Sequence, residues 1–135
     1  IVERGLFMMM KLAIDLDNTL NSSKTSIEFF STLTHLLIAE HRIVILTNRE
    51  PNSEQEIADE LDYLGIEYSE IIITDKKAEY IKNNNITIFF ENEDEYFLEL
   101  GEKVVVFKIR EDGNFDFSEK KWIGNKKTTK MIDDI

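Results

Sequence analysis

Five times along the chain, apolar residues cluster side by side instead of alternating with polar ones: Leu12–Ile14, Ile43–Leu46, Ile71–Ile73, Ile86–Phe90 and Val104–Ile109. Short runs of β-branched and aromatic residues predict strands covered on both faces, as in a parallel sheet. Between them, apolar residues recur at three- and four-residue spacing, which predicts amphipathic helices. The first helix is expected over about Thr25 to Ala39, with Ile27, Phe30, Leu33, Leu37 and Ile38 on its buried stripe. The second is expected after Pro51, with Asn52 as N-cap and Gln55 three residues on, and ends at Gly65, a suitable residue just past a helix. A third covers Lys77–Lys82 and a fourth Glu93–Leu100, before Gly101. The order is therefore βαβαβαβαβ, and right-handed crossovers fold it into a doubly wound α/β/α sandwich. Past Ile109, Asp112-Gly113 carries turn chemistry and is followed by Phe115 and Phe117, so a turn or hairpin is expected, with Trp122 packed back on the body.

Composition bounds this picture. The 135 residues suffice for one hydrophobic core, and 42% hydrophobic with 32% charged residues is ordinary globular usage. No apolar run approaches the roughly 18 residues of a membrane helix, and residues 1–10 lack the features of a secretory signal. They read as an N-terminal extension, with a start at Met8, Met9 or Met10. The absence of cysteine removes disulfides and thiolate metal sites and fits a cytoplasmic setting. The net charge of −11 is uneven: residues 1–102 hold 8 Lys/Arg against 21 Asp/Glu, while residues 103–135 hold 8 against 6. So acidic a body disfavours binding along a nucleic-acid backbone. Lys120, Lys121, Lys126, Lys127 and Lys130 read as a solvated basic tail within residues 110–135.

The run Lys11-Leu12-Ala13-Ile14-Asp15-Leu16-Asp17-Asn18-Thr19-Leu20 changes the picture most, because its strand ends in two aspartates one residue apart. The carboxyl ends of strands are where open α/β sheets build their ligand crevices. A calcium loop would need glycine and glutamate where Leu20 and Ser26 stand, and a helix ahead of it. As plain turn residues the acids would repel by about 4 kcal/mol at 4 Å in a protein-like dielectric. Later strands also end in reactive types: Ile43-Val44-Ile45-Leu46-Thr47-Asn48, a lysine pair at Lys76-Lys77, and Ile88-Phe89-Phe90-Glu91-Asn92-Glu93-Asp94-Glu95. Neither His35 nor His41 has a partner at metal-ligand spacing, and both read as structural.

With a strand ending Asp-x-Asp-x-Thr and these three later motifs in order, the chain resembles the haloacid-dehalogenase-like phosphohydrolase superfamily from Lys11 to about Ile109. The resemblance implies a Rossmann-like three-layer sandwich with a mainly parallel sheet in the order 5-4-1-2-3. It also implies Mg²⁺-dependent phosphomonoester hydrolysis through an aspartyl-phosphate. In that frame Asp15 is the nucleophile, Asp17 the general acid and base, Lys77, preferred over Lys76, cancels charge together with Mg²⁺, and Thr47 delivers a hydroxyl. Asn48, Arg49 and Lys76 are candidates for the substrate phosphate, Arg49 bidentately. Mg²⁺ is assigned to Asp15, the backbone carbonyl of Asp17 and Glu91, with Glu95 or Asp94 as second acid. The pair Glu91-Asn92 departs from the family's usual aspartate-rich strand end.

Asp17 and Thr47 are separated by 29 residues, as are Thr47 and Lys77, which leaves no length for the cap domain that large relatives insert. The expected site is open, suited to a small-molecule or nucleotide phosphate, or to nucleic acid only as a phosphorylated end, with a partner subunit of a homo-oligomer as another way to complete it. The competing reading is a degenerate phosphate-binding or regulatory module without turnover.

Overall fold

The structure, a computed structural model, describes residues 9–124. Strands β1 (Lys11–Asp15), β2 (Arg42–Thr47), β3 (Glu70–Ile73), β4 (Ile88–Glu91) and β5 (Val105–Lys108) form one parallel sheet in the order β3-β2-β1-β4-β5. This is the expected order read from the other edge. Helices α1 (Lys24–Leu37) and α2 (Glu54–Leu64) cover one face, where Phe30, Ile57 and Leu61 share a core with Leu12, Ile14, Ile43, Ile45 and Phe90. Helix α3 (Lys77–Asn83) lies on the other face, with Ile81 packed among Ala13, Val44, Leu46 and Phe89. Alternate residues of β1 and β2 thus feed opposite layers, which is why both read as unbroken apolar runs.

The order in which strands are added reverses between the parallel strands β1 and β4, so the switch-point crevice opens at their carboxyl ends. Ile14 pairs with Phe90, and one residue further on Asp15 and Glu91 stand side by side.

Several local expectations are corrected. Helix α1 runs over Lys24–Leu37 and so stops short of Ala39, starting after Ser23, whose hydroxyl accepts the Ser26 N–H at 3.1 Å. Helix α2 starts after Ser53, not Asn52, and lacks a side-chain cap because the Ser53 hydroxyl donates back to the Glu50 carbonyl at 2.7 Å. It does end at Gly65, in the left-handed conformation at φ 73°. The fourth helix does not form, and Asp94–Tyr96 makes one 3₁₀ turn instead. The Glu91 carboxylate takes the Asn92 and Glu93 N–H groups at 3.0 and 3.2 Å, and Tyr96 is buried. Together these anchors override a segment too short to be a stable helix alone.

On β5 only one face is covered: Val105 and Phe107 are exposed, although Phe107 stacks on Phe90 at 4.9 Å. The hairpin is displaced as well. Strands β6 (Phe115–Asp116) and β7 (Lys121–Trp122) pair antiparallel, so the chain reverses over 117–120, where Asp116 Oδ1 accepts the N–H groups of Ser118 and Glu119, both at 2.9 Å. Trp122 packs edge-on against Phe115 and lies over Lys108 Nζ at 3.9 Å. Met10 is already part of the fold, its carbonyl accepting the Arg42 N–H at 2.9 Å and its N–H donating to His41 Nδ1 at 2.9 Å. The rest of the expected extension, residues 1–8, and Lys126, Lys127 and Lys130 of the basic tail lie outside the described residues. No described helix is long and apolar enough to cross a membrane.

Candidate active site at the carboxyl edge of the sheet

Asp15 ends the central strand, and the chain then makes a single π-type turn, Leu16–Leu20. The turn is possible because Asn18 adopts the left-handed conformation at φ 62°, which asparagine tolerates better than most residues. It brings the Thr19 hydroxyl back to donate to Asp15 Oδ2 at 2.8 Å. From the opposite layer, α3 starts at Lys77 and sends its ammonium across the strand ends. Nζ donates to Asp15 Oδ1 at 2.6 Å and to Glu91 Oε1 at 2.8 Å, with the Tyr96 ring 4.5 Å away. Lys76, the residue before, is exposed.

Burial governs the electrostatics here. It raises the pKa of Asp15 above the usual carboxylate range, against the pull of Lys77. It pushes Glu91 up to about 8, aided by the nearby charge of Asp15 and opposed by Lys77. For Lys77, burial works against the charged form, but the two carboxylates outweigh it and the pKa rises. Two acids sharing one ammonium leave the cluster short of positive charge, so it has an unmet demand for a cation or for protons.

At the rim, Thr47 ends β2 and is buried, its hydroxyl accepting the Arg49 N–H at 3.3 Å. Asn48 Nδ2 donates to the Tyr96 hydroxyl at 3.1 Å. Arg49 grips Asp17 through Nε and Nη2 at 2.9 and 2.7 Å, and Glu60 of α2 through Nη1 and Nη2 at 2.9 and 3.2 Å. Hydrogen bonding to Arg49 holds Asp17 below the usual carboxylate range. An open polar cavity of about 730 Å³ adjoins this rim, lined by Asn48, Arg49, Glu50, Asn52, Ser53, Glu56 and Glu60. A more apolar cavity of about 450 Å³, lined in part by Ile86, Leu100 and Val104, sits at the amino ends of β4 and β5, away from the carboxylates.

The fold therefore brings together Asp15, Lys77 and Glu91, with Thr47 on the neighbouring strand, and leaves Lys76 outside. Asp17 stands beside the cluster, its carboxylate engaged by Arg49 and by Asn21 Nδ2. Asp94, a candidate second acid, pairs instead with Lys108 at 2.7 Å. Glu60 and Tyr96 carry no motif in the sequence, and Tyr96 falls within the expected fourth helix, which does not form. His41 takes a backbone N–H, and His35 lies 3.0 Å from the Ser31 carbonyl oxygen, so neither belongs to the site.

Among the described residues, no group of three or more His, Cys, Asp or Glu side chains could hold a metal ion. The buried cluster around Lys77 offers two carboxylates, Asp15 and Glu91. That number suits Mg²⁺, which is usually bound by one or two carboxylates and keeps several waters. Neither family models, curated proteins nor solved structures match the chain.

Proposed function

We propose that this chain is a Mg²⁺-dependent phosphomonoesterase of the haloacid-dehalogenase-like kind, working through an aspartyl-phosphate on Asp15. The observation that carries the reading is the buried Asp15 carboxylate at the end of the central strand, gripped by Lys77 on one oxygen and Thr19 on the other, with Glu91 beside it. These contacts fix a nucleophile in one orientation while a lysine stands ready to offset phosphate charge.

Asp15 attacks phosphorus and the bond to the leaving oxygen breaks. Asp17 donates a proton to that oxygen, then takes one from the water that cleaves the aspartyl-phosphate, which restores Asp15 and frees inorganic phosphate. Because Arg49 holds Asp17 as an anion, its proton-donor role requires that Arg49 let go and that Asp17 first take up a proton from solvent, and the substrate phosphate is a natural competitor for the guanidinium. Lys77 and the Thr47 hydroxyl steady the transferred group. Mg²⁺, held by Asp15, Glu91 and the backbone carbonyl of Asp17, supplies further neutralisation of the phosphoryl oxygens when bound.

The open polar rim beside Arg49 suits a nucleotide or another bulky phosphomonoester. The lack of cysteine suits a reducing cytoplasm. One observation favours a phosphate-binding module without turnover: both carboxylate oxygens of Asp17 are occupied by Arg49.

Hydrolysis of a generic aryl phosphate by the purified protein, with and without Mg²⁺ and alongside Asp15→Asn, decides between the two. The enzyme reading predicts Mg²⁺-dependent turnover that falls by more than about a thousandfold in Asp15→Asn. Equal, negligible rates under all conditions leave the binding module.

A further inference from the structure

The turn after β5 looks like a peripheral appendage, yet its side chains are linked to the nucleophile through Asn92 and Thr19. Thr19 has one hydroxyl hydrogen and faces two acceptors, Asp15 Oδ2 at 2.8 Å and Asn92 Oδ1 at 3.2 Å. Which end of the Asn92 amide faces Thr19 is settled at the other end of that side chain. There Nδ2 donates to Glu111 Oε2 at 2.9 Å. A carboxylate only accepts, so the amide nitrogen must face Glu111 and the amide oxygen must face Thr19.

Glu111 is itself fixed. Its Oε1 accepts the Gly113 N–H at 2.6 Å, and its own N–H donates to Asn114 Oδ1 at 2.8 Å. Buried Asn114 closes the arrangement, its Nδ2 donating to the carbonyls of Asn92 at 2.9 Å and Ile109 at 2.7 Å. The 109–114 turn is thereby fastened to the strand end that carries Glu91. It also explains the neutral residue at 92, since an aspartate there would set its carboxylate against that of Glu111.

We propose that Glu111 is a positioning residue for Asp15: it orients the Asn92 amide so that the amide oxygen shares the single Thr19 hydroxyl hydrogen with Asp15 Oδ2 and limits how tightly Thr19 holds the nucleophile's carboxylate. The proposal rests on Asp15 being the nucleophile of the reaction above. Glu111→Gln is the informative variant, because it keeps size while adding an N–H donor that lets the Asn92 amide turn over. Asn92→Ala breaks the same relay from the middle, should Glu111→Gln fold poorly.

The carboxyl carbon-13 shift of Asp15, read by NMR, moves in Glu111→Gln although residue 111 does not touch Asp15; an unchanged shift overturns the relay. In the aryl-phosphate assay with Mg²⁺, kcat falls about tenfold at unchanged KM, because a carboxylate that alone takes the Thr19 hydrogen is held more tightly and attacks less readily. The denaturation midpoint stays close to that of the parent protein. A lower midpoint with unchanged kcat makes Glu111 merely structural and overturns the proposal. An inactive parent protein removes the phosphatase reading alone, and the carbon shift still decides the relay.

Discussion

Two clusters at the carboxyl edge share one formula, a single cation between two carboxylates, and differ in their exposure to water. In the inner cluster Lys77 is 1% exposed and Asp15 5%, while in the outer one Arg49 is 23% and Asp17 46%. Inside, loss of water dominates and the acids hold their protons more tightly than free carboxylates. Outside, water still screens the charges, the Arg49 hydrogen bonds dominate, and Asp17 holds its proton less tightly. Two aspartates one residue apart thus acquire opposite proton affinities. In the proposed mechanism the inner cluster is the part that demands a cation, and the outer cluster is a clasp that has to open.

The sharpest way to break the comparison is to remove each cation. Lys77→Met leaves two buried carboxylates uncompensated, which costs about 3–5 kcal/mol of folding free energy, measured by urea denaturation. Adding Glu91→Leu to Lys77→Met restores part of that loss, because an apolar pair replaces a stranded charge. Turnover does not return with it. If Lys77→Met costs no more than a surface substitution, the inner cluster is not governed by burial.

A smaller effect comes from pH. The Glu91 pKa rises from 4.5 to about 8 on folding. Between those values the unfolded chain has lost a proton that the native state keeps. Stability of the metal-free protein therefore falls as pH rises from about 5 to about 8, by about 1.4 kcal/mol per unit for that one proton, and the raised pKa of Asp15 acts in the same direction. Asp17, depressed below 3.8, acts with the opposite sign and only at more acid pH. Mg²⁺ that binds the native state flattens the decline near pH 8. Thermal melts at pH 5.5 and 8, with EDTA and then with Mg²⁺, measure both slopes, and a flat metal-free profile contradicts the burial argument.

Legibility in the sequence divides along the same line. Asp15, Thr47 and Glu91 each close a β-branched or aromatic run, and Lys77 opens a helix, so one-dimensional pattern locates all four and the sheet that aligns them. Lys77 prevails over Lys76 because the helix starts there and carries its side chain across the strand ends. The clasp and the relay have no such signal. Glu60 is one of three acids in the run Ala58-Asp59-Glu60-Leu61-Asp62, and only the way α2 packs sets it against Arg49. Tyr96 lies in an acidic stretch whose spacing suggests a helix, and capture of two backbone N–H groups by Glu91 decides otherwise. The Asp112-Gly113 turn is visible, but that its neighbours Glu111 and Asn114 reach Asn92 is a tertiary fact.

The smallest effects belong to the clasp. Arg49→Lys keeps the charge but loses the fork that binds Asp17 and Glu60 bidentately, a loss of about 0.5–1 kcal/mol for so exposed a pair. Glu60→Gln is milder still, within about 0.5 kcal/mol in stability. Its informative readout is the inhibition constant of inorganic phosphate. With one carboxylate removed, Arg49 is less fully neutralised, so phosphate competes with Asp17 on better terms and inhibits about twofold more tightly. The gain should shrink at high salt, since screening acts on exposed charges and spares buried ones. Unchanged inhibition would mean that Arg49 never leaves Asp17 for phosphate. In that case the outer cluster is a fixed brace and differs from the inner one only in its exposure.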